Sequence, residues 1–355
     1  MNMKKTLWLL LATLLLLNVC CITSYAITGL QYEDIVGSWY GQYTGHSGGT
    51  FVERYMNMTV TECDEKGNFK GESKITTVEG QGYDYEWFNY EFTGKMDLEK
   101  NTFYMKGNKI TSGSSGTIWS TIPFSGEFYC TDSGELYVEG IANNDSNRKF
   151  YFGRTSAWSM SEVTEANMHN LIPETLKKKD LSKPVTRAEF AAISVQLYEK
   201  LTEQDVSVVK TPFTDIAGSE DASAIAKAYG VGITDGVAQT QFAPTTNINR
   251  EQLATMLCRT IKAYTFPEWT LSNDANYYLD TSGVTKFADD GDISDYAKPS
   301  VYYLTKLGII KGIDATHFAP RNISPRDETL GYATATREQA IALSLRIFKI
   351  SDMWK

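Results

Sequence analysis

Three tetrads in the chain combine the same residue types in the same order: Thr186-Arg187-Ala188-Glu189, Asn249-Arg250-Glu251-Gln252 and Thr336-Arg337-Glu338-Gln339. A Thr or Asn followed three positions later by Glu or Gln is the capping box of a helix start, in which each side chain satisfies an orphan backbone N–H of the other. Capping does not call for the arginine between them. In the first turn it sets a cation at the positive end of the helix dipole, at a cost of a few tenths of a kcal/mol (roughly). A guanidinium beside unpaired N–H groups is, however, a good receptor for a carboxylate or phosphate. Three readings stand side by side: anion contacts, helix caps alone, or a scaffold whose arginines are spent on internal salt bridges.

Other stretches carry weaker chemical signals. Gly45 to Gly49, "GHSGG", has the G-x-S-x-G pattern of serine hydrolases, but that elbow needs a strand before it and a helix after it. The strand-like "TFVERYMNMTV" follows instead, so a glycine-rich hairpin is expected. Asp290, Asp292 and Ser294 begin like a calcium loop, yet the sixth position is Asp295 and the twelfth Val301, where glycine and glutamate are required. A helix entry fits better. In "YDYEWFNYEF", Tyr83, Tyr85 and Trp87 alternate with Phe88, Tyr90 and Phe92. One set is expected in a core, and the first set is a candidate sugar-stacking platform, against simple packing under a loop. No spacing singles out a pair of carboxylates for glycoside hydrolysis, and no metal or other cofactor is implied.

The elements that must position these residues fall into two halves. From about Tyr32 to Thr155 apolar residues alternate and glycines punctuate, as in "FVERYMNMTV", which predicts an all-β antiparallel barrel or sandwich of roughly ten strands or fewer. After Trp158 the period becomes helical: Phe190, Ile193, Leu197 and Leu201 form one stripe, Leu253, Met256, Leu257, Ile261 and Tyr264 a second, Ile341, Leu345 and Phe348 a third. Each stripe begins at a tetrad. With 355 residues, 42% hydrophobic and 22% charged, the chain suits about two domains, each with its own core.

Lys4 and Lys5 before "LWLLLATLLLL", with small residues ending at Ala26, read as a signal peptide over residues 1–26 and an exported protein; a lipid anchor at Cys20 or Cys21 is the alternative. No membrane span is expected once the leader is removed. The net charge of −9, which becomes more negative when the leader's two lysines go, argues against a nucleic-acid partner. Cys63, Cys130 and Cys258 are too few and too widely spaced for a disulfide framework; buried free thiols fit better than a Cys63–Cys130 bridge.

The tetrads belong to a longer repeat. "GITDG" then "FAP" at Gly232 to Pro244 matches "GIIKG" then "FAP" at Gly308 to Pro320, preceded by "PFTDI" from Pro212 and "KFADD" from Lys286. With these motifs residues 157 to 350 resemble three consecutive S-layer homology repeats, over residues 156–205, 211–265 and 286–350, the first with Pro173 where the others have a glycine pair. The resemblance implies a mainly α C-terminal pseudo-threefold bundle that binds a secondary cell-wall polysaccharide, often pyruvylated and so carboxylate-bearing, at the cell surface. Carried over by position, Arg187, Arg250 and Arg337 would contact the anion and Thr186, Asn249, Thr336 and Glu189 would shape the sites. Gln252 and Gln339 stand where the first copy has Glu189, which implies weaker binding or a supporting role there. In the third copy Arg326 competes with Arg337, and the unbroken stripe after Arg337 decides for it, leaving eleven extra residues as an inserted loop. The N-terminal half, residues 27–155, is less telling: "GSWYGQY" from Gly37 resembles the opening strand of small lipocalin-type barrels, with Arg154 near the last strand as the further point of likeness. The expectation is a secreted, non-catalytic, wall-anchored protein that displays a β domain. The alternative makes that domain an enzyme, or a module binding carbohydrate or another small ligand, which the repeats merely localise.

Overall fold

The computed structural model describes residues 27, 29–47, 50–78, 85–114, 120–322 and 324–355. The expected leader, residues 1–26, lies outside them, as does Tyr83. Eight antiparallel strands close into one barrel in simple sequence order: β1 (Gly37–Ser47), β2 (Thr50–Cys63), β3 (Asn68–Val78), β4 (Tyr85–Asp97), β5 (Thr102–Gly113), β6 (Phe124–Cys130), β7 (Leu136–Ala142) and β8 (Lys149–Thr155). Strand β1 completes the ring by pairing on both sides, Trp39 lying opposite Met58 of β2 and Arg154 of β8. Full closure removes the exposed edges that an open sheet would carry. Ser47 ends β1 opposite Thr50, which opens β2, so the serine lies between two paired strands and not between a strand and a helix as a nucleophile elbow requires.

The alternation in the sequence sends Met56, Met58 and Val60 of β2 into the barrel, and Phe88, Tyr90 and Phe92 of β4 with them. Trp87 therefore faces outward, half-buried, with the Lys74 ammonium 5.1 Å from its ring centre. The barrel lumen is filled with aromatic rings packed edge to face, such as Tyr43 on Phe124 at 5.2 Å and Phe124 on Phe150 at 5.5 Å. Gly126 and Gly140, paired across β6 and β7, make room for this packing, since a Cβ on either would come within 2.9 Å of the Phe150 ring. Each buried phenyl contributes about 1.5–3 kcal/mol. One end is closed by the 3₁₀ turn Tyr32–Ile35, whose Ile35 carbonyl accepts the Trp39 indole N–H at 2.8 Å. The Arg154 guanidinium covers the same indole, 4.6 Å from its centroid, and donates to the Val36 carbonyl at 2.9 Å. The two residues behind the likeness to lipocalin-type barrels thus touch.

The helical half begins right after β8 with α1 (Met160–Met168), followed by α2 (Arg187–Thr202), α3 (Ala222–Gly230), α4 (Arg250–Thr265), α5 (Lys298–Lys306), the short α6 (Pro325–Leu330) and α7 (Arg337–Lys349). The long helices α2, α4 and α7 begin at the three tetrads and bury the three predicted stripes, apart from the half-buried Tyr264 and Phe348. Helix α6 accounts for most of the insertion before Arg337, so the third tetrad helix starts at Arg337 and not at Arg326.

The two halves pack against each other. Tyr40 of β1 points away from the barrel lumen into the helical core, and its hydroxyl reaches the Leu176 and Lys177 carbonyls at 3.1 and 3.0 Å. Helix α1 lies along β1 and β2, with Asn167 donating to Gln42 at 3.2 Å. The three cysteines among the described residues are free; Cys258 is buried as expected, whereas Cys63 is half-buried and Cys130 exposed, at the ends of strands. Among the described residues no helix is long and apolar enough to cross a membrane.

Candidate functional site

Each tetrad is a complete capping box. The Thr186 hydroxyl accepts the Glu189 N–H at 3.2 Å while Glu189 accepts the Thr186 N–H at 3.0 Å; Asn249 with Gln252 and Thr336 with Gln339 repeat the exchange. The segments leading into the boxes meet one another through short backbone bridges, Pro184 with Thr336, Thr186 with Asn247, and Asn249 with Thr334. The three arginines therefore start from equivalent backbone positions, Arg187 N–H donating to Thr246 O, Arg250 N–H to Ala333 O and Arg337 N–H to Lys183 O.

From there the side chains diverge. Arg187 donates through Nε to the Phe242 carbonyl at 2.9 Å and lies 5.0 Å over that residue's ring; Arg250 does the same with Phe318 at 2.9 Å and 5.0 Å. Both phenylalanines belong to the "FAP" turns. Asp215 and Asp289 hold those turns by accepting the N–H groups of Phe242 and Ala243, and of Phe318 and Ala319. The carboxylates fix the left-handed backbone of Ala243 and Ala319, at φ 59° and 56°. Neither Arg187 nor Arg250 forms an ion pair among the described residues. Arg187 is only 4% exposed, and burial pushes its guanidinium below the usual range, as it does for Arg250. Arginine nevertheless keeps its proton, so each is a charged fork held through Nε and the ring face, with carboxylates acting on it only from beyond salt-bridge distance, Asp235 and Asp215 on Arg187 and Asp289 on Arg250.

Arg337 is different. Its Nε and Nη2 donate to Glu189 at 3.0 and 2.8 Å, and its Nη1 to Glu135 of the barrel at 2.9 and 2.7 Å. Burial alone would lower its pKa, but the two carboxylates outweigh it and the net shift is upward. Burial likewise tends to raise Glu189, yet Arg337, the Thr186 N–H and Lys179 hold it below the ordinary carboxylate value. Glu189 was expected to shape the site of its own arginine, Arg187; it instead neutralises the arginine of the third copy. The first copy has no "FAP" turn, and Lys179, which pairs with Glu189 at 3.1 Å, stands near this junction.

The third tetrad position was not singled out from sequence, yet it is structurally active. Glu251 accepts the N–H and hydroxyl of Ser294, both at 2.9 Å, just before α5; Glu338 accepts from Thr155, Ser156 and Ser159 just before α1. Two of the three tetrad helices, α4 and α7, thereby hold the entries of α5 and α1. Aligning the copies would have shown the signal, Glu against Ala188.

Arg250 lines a cleft of about 200 Å³ together with Trp158, Lys311, Phe318, Gln339 and Arg346. Trp158 is 53% exposed there. Arg250 Nη2 donates to the Lys311 carbonyl at 2.8 Å, and Arg346 is paired with Glu162 at 2.8 Å. The position equivalent to Glu189 is here the neutral Gln339, so no carboxylate pairs directly with Arg250, and Asp289 acts on it from a distance. Of the proposed aromatic platform, Trp87 lies on the outer barrel face under Lys74; the Tyr85 side chain, like Tyr83, is outside the described residues.

Residues 212–254 and 286–323 match the profile of the S-layer homology domain. The chain carries S-layer homology domains. The first match runs from the "PFTDI" turn into α4; the second ends just before α6. Among curated proteins, an exoglucanase, XynX, of Acetivibrio thermocellus is 34% identical over 164 residues, covering 46% of this chain and 14% of the relative. An amylopullulanase of Thermoanaerobacterium thermosulfurigenes is 31% identical over 164 residues, covering 46% and 8%. A cellulosome-anchoring protein of Acetivibrio thermocellus is 30% identical over 108 residues, covering 30% and 24%. The chain thus spans less than a quarter of each of these relatives.

Proposed function

We propose that this protein is held non-covalently at the cell surface by S-layer homology repeats that bind an anionic, carboxylate-bearing wall polysaccharide, and that it displays the barrel there as a non-catalytic module. The repeats, over 156–205, 211–265 and 286–350, are read as one pseudo-threefold bundle. The cyclic bridges between the tetrad segments and the pairing of α2 with α3, α4 with α5 and α7 with α1 support this reading.

The observation that carries the proposal is a guanidinium, buried at Arg187 and half-buried at Arg250, with no carboxylate within salt-bridge distance among the described residues. A charge taken out of water without a partner is costly, and an incoming carboxylate would relieve that cost at Arg187 and Arg250 with charge-assisted hydrogen bonds. At Arg250 the exposed indole of Trp158 adds a flat apolar face of the kind on which a sugar ring packs. Thr186, Asn249 and Thr336 serve as caps that fix the arginines in place. The substitution of Gln for Glu at 252 and 339 favours binding in this arrangement, because a glutamate at that position would occupy the cation, as Glu189 does to Arg337.

The cellulosome-anchoring relative fits a surface location, while the hydrolytic activities in the names of the others belong to those longer proteins. The aromatic packing of the barrel lumen fits a displayed module better than a carrier of small ligands. Co-sedimentation of the full chain with sacculi that retain their polysaccharide tests the proposal. Binding that is lost when the polymer is stripped supports it, and equal pelleting with stripped sacculi contradicts it.

A further inference from the structure

We infer that the outer wall of the barrel carries a binding site of its own, a trough across β4 to β8 that takes an uncharged glycan chain. The site is built from barrel residues alone and does not depend on how the repeats bind the wall.

The strand register builds the trough. Phe103 and Met105 are buried in the lumen, so Tyr104 between them faces outward, where it is 44% exposed. Direct cross-strand partners continue from it as one outward row, Lys95 of β4, Tyr104 of β5, Ser125 of β6, Ile141 of β7 and Lys149 of β8. The neighbouring outward row runs through Asp97, Thr102, Glu127 and Glu139. The short side chains of Ser125 and Thr102 stand among longer ones, and the wall dips there into an open hollow of about 860 Å³ whose lining extends to Tyr129. Tyr104 and Lys95 also line an adjoining hollow of about 430 Å³ on the β3 side. The two hollows flank one exposed aromatic ring, a layout that suits an extended chain of several rings better than a single small molecule.

The lining suits hydroxyl groups rather than charges. The Tyr129 hydroxyl donates to Glu127 at 3.0 Å and its ring stacks on Tyr137 at 5.4 Å, which fixes its orientation. A tyrosine held this way, like the exposed Tyr104, offers an apolar face to the C–H face of a pyranose and a polar edge to its hydroxyls. Thr102 and Ser125 both donate and accept. The charges are of mixed sign: Asp97 pairs with Lys100 at 2.9 Å, Glu139 pairs with Lys178, the Lys95 ammonium turns to the Lys66 carbonyl, and Glu127 and Lys149 oppose each other in sign. A charged polymer finds no concentrated field here. Glu127 lies directly opposite Glu139, a like-charge pairing that costs stability in a sheet. Hydroxyl donors from a neutral glycan would offset that cost, since the carboxylates retain lone pairs beyond those their partners use.

Isothermal titration of the full chain with cellohexaose, chitohexaose and maltohexaose tests this, because all three are uncharged and they differ in linkage and N-acetylation. The wild type should bind at least one. Tyr104→Ala should weaken that binding by roughly tenfold, and Tyr104→Trp, which keeps an aromatic face, should retain it. Glu127→Ala, at a second exposed position, should weaken it as well, and both positions lie on the surface, so melting temperatures should stay near the wild-type value. The double variant Arg187→Ala/Arg250→Ala should bind the hexasaccharide like the wild type, which separates this site from the repeats. A folded wild type that binds none of the three overturns the inference. So does binding that Tyr104→Ala leaves unchanged, or that the arginine double variant loses.

Discussion

Arg337 and Glu189 stand 148 positions apart in the chain, and their side chains meet as a two-pronged fork, Nε to Oε2 at 3.0 Å and Nη2 to Oε1 at 2.8 Å. The pair joins the third tetrad to the first, and Glu135 attaches the barrel to the same guanidinium. Three arginines at equivalent helix starts therefore have two destinies: Arg337 is ion-paired within the fold, whereas Arg187 and Arg250 turn to the Phe242 and Phe318 carbonyls.

Replacing Arg337 should unfold what replacing Arg250 leaves intact. Arg337→Ala strands two carboxylates, Glu189 wholly buried, and is expected to cost about 3–5 kcal/mol. Arg250→Ala removes two charged hydrogen bonds and a cation–π contact but strands no carboxylate, and is expected to cost the smaller amount of about 1–3 kcal/mol. Urea melts of the two variants check this difference.

The fork also sets a pH dependence. The ordinary value for Glu189 is 4.5 and the folded value is lower. Its contribution is therefore complete above about pH 4.5 and disappears as pH falls through the lower folded value. Melting temperature measured from pH 7 to pH 3 should fall steeply at the acid end in the wild type and less steeply in Glu189→Gln, which has no charge to lose there.

The third tetrad residues should matter to stability alone. Glu338→Ala leaves the Thr155 and Ser159 hydroxyls and the Ser156 N–H without their acceptor, a loss of about 1–3 kcal/mol. Thermal melts should register it, while sacculus binding at a temperature where the variant is folded should be unchanged.

In the barrel, Arg154→Ala removes the cover of Trp39 and the donor to the Val36 carbonyl. A cation–π contact and a charged hydrogen bond together suggest a cost of roughly 1–3 kcal/mol. Near-UV circular dichroism follows the Trp39 environment, and should lose signal at lower temperature in the variant.

Much of this was legible in the chain because it is local. Alternation over Met56, Met58 and Val60 marks a half-buried strand, and a Thr or Asn three residues before Glu or Gln marks a helix start, without reference to anything distant. The stripe expected after Arg337 is buried along α7, with Ile341 and Leu345 in the core. What stayed hidden was pairing across the fold. Glu189 looked like part of the first site, and its replacement by Gln252 and Gln339 like a weakening, because no local rule says that a capping glutamate also reaches an arginine from another copy. Glu135, in a turn of the other domain, carried no signal at all. Trp158 lay at the domain boundary, where neither periodicity applies, and only the packing of α4 and α7 sets it beside Arg250.

The central claim is that Arg187 and Arg250 hold the wall polymer. Its most direct test is co-sedimentation of the full chain with polysaccharide-bearing sacculi, comparing the wild type with Arg187→Ala, Arg250→Ala and the double variant, each at a temperature where it is folded. The account predicts weaker pelleting in each single variant, by roughly tenfold for a lost charge-assisted contact of about 1.5 kcal/mol, and near-complete loss in the double variant. A double variant that stays folded and pellets like the wild type would contradict it.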